Sequence, residues 1–370
     1  MELDITQSQR NLFDEIVLLA REGVTVRDRD HTFSRARWDA IRSTGLTGLT
    51  ASDRLGGRNI TSVMELVLVM HALGYGSTDV PLTLALSCHL FGGVLPLSRW
   101  GTPEQQAAYL PRLISGEWYS ARALPDAMEA KPVNGGFSLT GVANIDSAGL
   151  RPDLALVFAQ VSGRQAASDR AFLVPLSDTS AMWTRARGSA LALADSLRFD
   201  QVKVPANMML GSDVDGYVLL GKLEPREQLV LQATRLGLLQ RLLETALESA
   251  RKYTRRLKLK GVPPHRYQML GHKLADFKVR FDATELLLRR AAWKLERRDT
   301  TVDVALAALA IDNSLIPGAF EVVKLQRDYA LDEDHAWSDM LSDVVEYGRH
   351  LVNPAQLRTT VNEALRAGIV

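Results

Sequence analysis

Apolar residues recur with two different spacings along this chain of 370 residues, and the spacing changes twice. Up to about residue 115, and again after Gly216, they recur every three or four positions, as in Leu12, Ile16 and Leu19, which is typical of amphipathic helices. Between about 117 and 212 they alternate with polar residues, which is typical of short strands. The sequence therefore predicts an α+β protein that is mostly α, with an N-terminal helical domain (1–115), a middle antiparallel β-domain (116–212) and a C-terminal helical bundle (213–370).

Individual elements can be assigned within these zones. The alternation predicts strands over residues 137–140, 154–161, 171–176 and 197–204. In the C-terminal zone, the first apolar stripe consists of Leu236, Leu239, Leu243 and Leu247, and the second of Leu286, Leu287, Ala291 and Leu295. Both stripes have the spacing of one helix face, so we expect them to form a shared core.

The charge balance and the cysteine content limit which ligands the protein is expected to bind and in which cellular compartment it is expected to work. The chain has 44 Lys and Arg against 43 Asp and Glu, so its net charge of +1 predicts no binding of nucleic acid through bulk charge. The single cysteine, Cys88, excludes an intramolecular disulfide, and its apolar surroundings predict a buried structural thiol. The acidic start resembles no signal peptide, and we expect no stretch of 18 uncharged apolar residues. These features predict a cytoplasmic protein without a membrane span.

Specific residues resemble a known family. The segment Gly101-Thr102-Pro103-Glu104-Gln105 resembles the entry into the β-domain of acyl-CoA dehydrogenases, and Val204-Pro205 with Leu210-Gly211 resembles the exit. Leu236-Gly237, Gly261 and Leu274-Ala275-Asp276-Phe277 resemble the first two helices of the four-helix bundle of that family. His71-Ala72-Leu73-Gly74 is similar to the branch that oxidises aminoacyl groups on carrier proteins, the prolyl-type dehydrogenases. The resemblance covers nearly the whole chain.

This resemblance implies chemistry that needs a carboxylate, a flavin and a thioester pocket. In the family a carboxylate removes the α-proton of an acyl thioester while FAD accepts the β-hydride. One of the two family positions for this base matches Glu227, whereas the other falls near Leu351-Val352, where no carboxylate is present. An apolar acyl pocket would favour the neutral acid and so strengthen Glu227 as a base. The other explanation of Glu227 is a first-turn glutamate placed after Pro225 at the helix start.

The positions that hold flavin in the family carry different residues here. Ala123 stands where the family has a hydroxyl, and Asn144 and Asp146 stand where it has an aromatic residue and a hydroxyl. Leu257 and Leu259 replace an arginine and a glutamine near the FAD diphosphate, although Arg256, Lys258 or Lys260 could reach a phosphate. A glycine-rich loop is replaced by Gln326-Arg327-Asp328-Tyr329. These departures predict a protein that has lost FAD and binds no cofactor.

The sequence interpretation is therefore an acyl thioester enzyme, acting on a carrier protein or on CoA, that uses Glu227 for α-proton chemistry without net oxidation. Without the flavin hydroxyl that helps to stabilise the enolate, another donor is needed, and Arg226, Gln228 and Asn144 are the nearest candidates in the sequence. Two alternatives stay open. One is an FAD-dependent dehydrogenase with a rebuilt flavin site, and the other is a non-catalytic subunit of a hetero-oligomer. The family implies a homodimer or homotetramer.

Three further polar features have plainer explanations. The carboxylates and histidines between Asp332 and His350 could be read as a metal site, but a solvated acidic surface is the simpler interpretation, so we predict no metal. The basic run from Arg251 to Lys260 is read as a solvated helix end, with docking of an acidic carrier protein or of CoA phosphates as its functional alternative. His89 and His272 lie on apolar helices, and we expect both in the core.

Overall fold

The fold is taken from a computed structural model of the whole chain. The structure describes residues 5–23, 34–77, 80–125, 128–146, 148–162, 168–177, 179–184, 195–211, 215–261, 265–298, 300–328, 341, 344–345 and 353–368.

Helices precede the sheet. They are α1 (Gln7–Gly23), α2 (Arg35–Arg42), α3 (Val63–Ser77), α4 (Val80–His89), α5 (Leu95–Trp100) and α6 (Pro103–Ile114). The start of α6 follows directly from its sequence: the Thr102 hydroxyl accepts from the Gln105 backbone N–H, and the Gln105 side chain accepts from the Thr102 N–H. A π-helical turn, Leu90–Val94, joins α4 to α5. Gly92 allows this turn to approach the sheet, because an added Cβ would lie 2.5 Å from the Ala121 carbonyl carbon.

Seven strands form one sheet in the described part of the chain. They are β1 (Ser120–Pro125), β2 (Glu129–Val133), β3 (Gly136–Asp146), β4 (Leu154–Val161), β5 (Ser168–Pro175), β6 (Met182–Thr184) and β7 (Asp195–Pro205). The order is β1-β4-β2-β3-β7-β6, with β5 on β4 and β1 also paired to β3, so β1, β3, β2 and β4 close a ring. Most pairs are antiparallel, but β4 runs parallel to β1 and β2. The prediction of a wholly antiparallel domain is corrected on that point.

Helices follow the sheet as predicted. They are α7 (Gly216–Leu259), α8 (His265–Leu295), α9 (Thr301–Ala310), α10 (Ile316–Asp328) and α11 (Pro354–Arg366), with a second π-helical turn, Ile311–Leu315, between α9 and α10. Leu236, Leu239 and Leu243 of the first predicted stripe are buried, which confirms it. In the second stripe Ala291 and Leu295 are buried, whereas Leu286 is exposed.

The chain divides into two compact units. Unit 1 consists of Met1–Arg21, Ser62–Val80 and Gln228–Val370, and unit 2 of Glu22–Thr61 and Pro81–Glu227. Within unit 1, α3 and α7 approach closely: an added Cβ at Gly237 would overlap the His71 carbonyl oxygen. The order of a helical domain, a β-sheet domain and C-terminal helices is confirmed, while the boundaries at 115 and 212 stay a prediction.

Two helical stretches in the described residues are long and apolar enough to cross a membrane, Pro81–Trp100 and Thr301–Leu325. The expectation that no such stretch occurs is therefore wrong for Pro81–Trp100, which contains Arg99 only near its end. This stretch is 94% buried inside the protein, as the core helix of a folded domain is. Cys88 lies within it and is buried as predicted.

Candidate functional site

Glu227 lies on the buried face of α7. Leu223, four residues earlier, and Val230, three residues later, share that face and are fully buried. The helix begins at Gly216 and contains Pro225 in its interior, so Glu227 is not in the first turn and the helix-start explanation is wrong. A carboxylate on the apolar face of a helix requires a partner, because an unpaired buried charge is strongly destabilising.

Arg122 of β1 provides that partner. Its Nη2 lies 2.6 Å from Oε2 of Glu227, and the two side chains are only 7% and 8% exposed. The flanking residues Ala121 and Ala123 are fully buried, so Arg122 lies in a buried part of β1. Both residues belong to unit 2. The carboxylate expected to face an apolar acyl pocket therefore also has a buried cation beside it.

Two nitrogens of the Arg122 guanidinium are not used in hydrogen bonds to the described residues. Its Nε and Nη1 are buried and have no hydrogen-bond partner among the residues that the structure describes. Arg235, a buried arginine of unit 1, differs: its Nη1 donates to Gln232 and its Nη2 to Asp312. Arg235 leaves only Nε without a partner among the described residues, whereas Arg122 leaves both Nε and Nη1.

The sequence could have revealed Arg122 by one signal. It is the only charged residue of β1, in the run Ser120-Ala121-Arg122-Ala123-Leu124-Pro125. Alternation did not indicate this strand, because small residues replace the β-branched ones that are typical of strands. A lone arginine between buried alanines signals a buried cation in need of an anion, but only the fold identifies Glu227, 105 residues further along (227 − 122), as that anion.

The other residues singled out from the sequence lie on α7, β1 and β3. Arg226, proposed beside Glu227, donates from Nη1 to the Lys222 carbonyl of its own helix, 2.7 Å away. Asn144 is exposed on β3, where it pairs with Leu124 and Ser196. The backbone of Asp146 pairs with that of Arg122, while its side chain lies outside the described part. Leu257 is half-buried and Leu259 is exposed near the end of α7, in unit 1.

A basic groove runs between α7 and α8 within unit 1. Its volume is about 750 Å³, and its apolar floor includes Leu247, Leu270 and Leu274. The lining has five basic side chains and no acidic one: Arg251, Arg255, Lys258, His272 and Lys278. His272 is therefore exposed here, which corrects its predicted place in the core. The donor set of this groove suits a phosphate or another anion.

His89 is buried in unit 2, as predicted. Its Nε2–H donates to the Leu113 carbonyl at 3.1 Å, and its Nδ1 accepts from the Ser120 backbone N–H at 3.1 Å. Burial is the main cause that lowers the pKa of His89 to about 3. Burial also lowers the pKa of His71 in unit 1. Both rings are therefore neutral in the folded protein near pH 7.

The carboxylates and histidines between Asp332 and His350, which could be read as a metal site, all lie outside the described residues. Elsewhere, in the parts of the chain that are described, no group of three or more histidine, cysteine or acidic side chains could hold a metal ion.

Comparison with known proteins identifies the class. The profile "Acyl-CoA dehydrogenase, N-terminal domain" matches residues 6–117, and "Acyl-CoA dehydrogenase, C-terminal domain" matches residues 226–344. The chain belongs to the acyl-CoA dehydrogenase family. It is 25% identical over 363 residues to an L-prolyl-[peptidyl-carrier protein] dehydrogenase of Pseudomonas fluorescens, covering 93% of this chain and 94% of that protein.

Solved structures agree on the fold. The FAD complex of PigA superposes with a TM-score of 0.84 at 22% identity over 100% of both chains. The prolyl acyl carrier protein oxidase AnaB has a TM-score of 0.83 at 22% identity, over 98% of this chain and 100% of its own. The prediction that the protein binds no cofactor is contradicted by these relatives, since they include dehydrogenases and a solved complex with FAD.

Proposed function

We propose that this protein is an FAD-dependent dehydrogenase that oxidises the acyl group of a carrier-protein thioester, with Glu227 as the base. The supporting observation is the carboxylate of Glu227 held on the buried face of α7 by Arg122 at 2.6 Å. The named function of the Pseudomonas fluorescens relative supports a carrier-bound aminoacyl substrate.

In the proposed reaction Glu227 accepts the α-proton of the acyl thioester, and a hydride leaves the β-carbon. When bound, FAD would supply the acceptor for that hydride. The buried position of Glu227 excludes bulk water, which keeps the proton on the carboxyl group during the reaction. Arg122 fixes the orientation of the carboxylate, because one of its oxygens is engaged by Nη2.

The residues of this chain fit FAD unevenly. Ala123 is fully buried and has no hydroxyl, and neither Leu257 nor Leu259 has a side-chain donor. The chain does have cations that could bind the diphosphate of FAD, since Lys258 lines the groove between α7 and α8 together with Arg251, Arg255 and Lys278. The family resemblance assigns the end of α7 to the FAD of a neighbouring subunit, so the groove would hold the diphosphate in a homodimer or larger homo-oligomer.

The visible spectrum of the purified protein tests the cofactor directly. We expect flavin absorbance at a stoichiometric amount, and bleaching of that absorbance when an L-prolyl carrier-protein thioester is added without an electron acceptor. Lys258→Glu should lower the flavin content, while Lys260→Glu, an exposed neighbour outside the groove, should not. A colourless protein that gains no flavin on incubation with FAD would contradict the proposal.

Glu227→Gln tests the base. This variant keeps an acceptor for Arg122 but cannot take the α-proton, so bleaching by the thioester should be slowed at least about 100-fold, the usual contribution of a general base. The matched control is Glu224→Gln, a half-buried glutamate one turn earlier in the same helix. Unchanged bleaching in Glu227→Gln would show that Glu227 is not the base. Activity seen only in the presence of a second protein would favour the alternative of a non-catalytic subunit.

A further inference from the structure

The fold uses the guanidinium of Arg122 only in part. Its Nη2 is paired with Glu227. Nε and Nη1 lie in the interior without a partner in the described parts of the chain. Buried charged donors without an acceptor are rare in folded proteins, because burial removes the water that would otherwise bind them.

The charge of this guanidinium has a consequence for proton transfer. With Glu227 ionised, the positive charge of Arg122 is balanced by the carboxylate 2.6 Å away. Once Glu227 takes a proton from the α-carbon, the negative charge moves to the oxygen of the thioester carbonyl. The guanidinium then loses the carboxylate charge that balanced it, and a negatively charged oxygen lying against it would restore that balance in the interior.

Covalent geometry allows one guanidinium to serve both groups. Standard bond lengths place the carbonyl oxygen about 2.4 Å from the α-carbon whose proton is removed. A carboxylate that reaches this proton is therefore close to the carbonyl oxygen, and the planar guanidinium presents its remaining N–H groups in a fixed arrangement beside the first.

We propose that Arg122 binds the carbonyl oxygen of the acyl thioester through one of its remaining N–H groups, on Nε or on Nη1, and stabilises the negative charge that forms there. This inference rests on the proposed function for the assignment of Glu227 as base. It gives Arg122 contact with the reacting atoms and makes the donor for the carbonyl oxygen a side chain of β1. Arg226 and Asn144, the donors considered from the sequence, are not needed for this role.

A binding comparison isolates this contact without any oxidation. The probes are S-butyryl-pantetheine and S-L-prolyl-pantetheine, each with its thioether counterpart in which CH₂ replaces the carbonyl. We expect the wild type to bind at least one thioester about 10- to 100-fold more tightly than its thioether, the range of one hydrogen bond to a charged group. Arg122→Met should abolish this preference, and Arg122→Lys, which keeps the charge but not the planar fork, should keep part of it.

Two further variants keep the experiment interpretable. Arg122→Met leaves Glu227 buried without its cation, so the comparison is repeated between Glu227→Gln and the double variant Glu227→Gln with Arg122→Met, in which no anion is left unpaired. Arg170→Met is the matched control: Arg170 also comes from a strand of unit 2, but its guanidinium pairs with Asp215 at 3.7 Å. Its carbonyl preference should equal that of the wild type.

The outcomes separate this inference from the proposed function. A carbonyl preference that disappears with Arg122 supports the contact even in a protein that carries no flavin, which would contradict only the oxidation. A wild type that shows no preference in either probe pair, or a preference that persists in both Arg122→Met backgrounds, would overturn the inference even if the protein oxidises the prolyl thioester.

Discussion

The buried histidine His89 makes the stability of unit 2 depend on pH. Its Nε2–H and Nδ1 are both used in the neutral form, by Leu113 and by Ser120, and the ring lies edge-on to Trp38 with centroids 4.9 Å apart. A second proton would have to go on Nδ1, where it would face the Ser120 N–H. Loss of hydration on burial is the main cause that lowers the pKa of His89 from 6.5 to about 3.

The direction and size of the pH dependence follow from the difference in protons bound by His89 in the folded and unfolded states. Above pH 6.5 His89 is neutral in both the folded and unfolded states, so its contribution to stability is fully present. Below pH 6.5 the unfolded chain binds a proton that the folded protein does not, and stability falls by about 1.4 kcal/mol per pH unit. At pH 5.0 the loss is about 2 kcal/mol relative to pH 7.5, and it grows to about 5 kcal/mol near pH 3.

Urea unfolding at pH 7.5 and pH 5.0 measures this loss. Tryptophan fluorescence reports mainly on unit 2, which contains four of the six tryptophans, Trp38, Trp100, Trp118 and Trp183. The variant is His89→Gln, whose amide can still donate and accept but does not titrate. The wild type should lose about 2 kcal/mol more than the variant between the two pH values.

The comparison removes the contribution of other groups. His71, whose pKa is also lowered, loses stability in the same direction but is present in both proteins. If the wild type and His89→Gln lose the same free energy between pH 7.5 and 5.0, the neutral buried state of His89 is refuted.

Two more stability predictions concern buried contacts of α7. Removing one partner of the Arg122–Glu227 pair, as in Arg122→Met, should lower the free energy of unfolding by about 3–5 kcal/mol. Arg122→Met combined with Glu227→Leu should lower it far less, because neither charge is then left unpaired. Equal losses of the two variants in urea unfolding would contradict a buried ion pair. Gly237→Ala should destabilise unit 1 by about 1–3 kcal/mol, because the added methyl meets the His71 carbonyl oxygen. Gly221→Ala, with open space around its Cβ, should be neutral or stabilising. Urea unfolding followed by far-UV circular dichroism compares the two variants, and equal midpoints would refute the close helix contact.

Four segments that hold flavin in the family carry different residues here. These differences predict loss of the cofactor, which the solved FAD complex of a relative contradicts. A cofactor as large as FAD is held by many groups, including backbone N–H groups that a sequence does not display. The cationic groove between α7 and α8 is built from residues such as Arg255 and Lys278, which are far apart in the sequence. Side-chain replacement at a few positions is therefore weak evidence against binding.

The sequence by itself determined the order of helices and strands, the stripe that buries Leu236 and Leu239, and the family. These follow from periodicity and local motifs, which act over a few residues and are written along the chain. It also singled out Glu227 as the candidate base. It left open a place in a first helical turn, because Pro225 suits both the start of a helix and, at a cost, its interior.

Only the tertiary structure decided what surrounds Glu227. The parallel pairing of β4 with β1 places Arg122 within the sheet interior, and the pair with Glu227 joins residues 105 positions apart (227 − 122). Such a contact leaves no periodic signal, since its energy comes from the attraction between two charges that only folding brings together. The same holds for His89, whose neutral state depends on Leu113 and Ser120. Burial and long-range pairing, which set the chemistry of both side chains, exist only once the chain has folded.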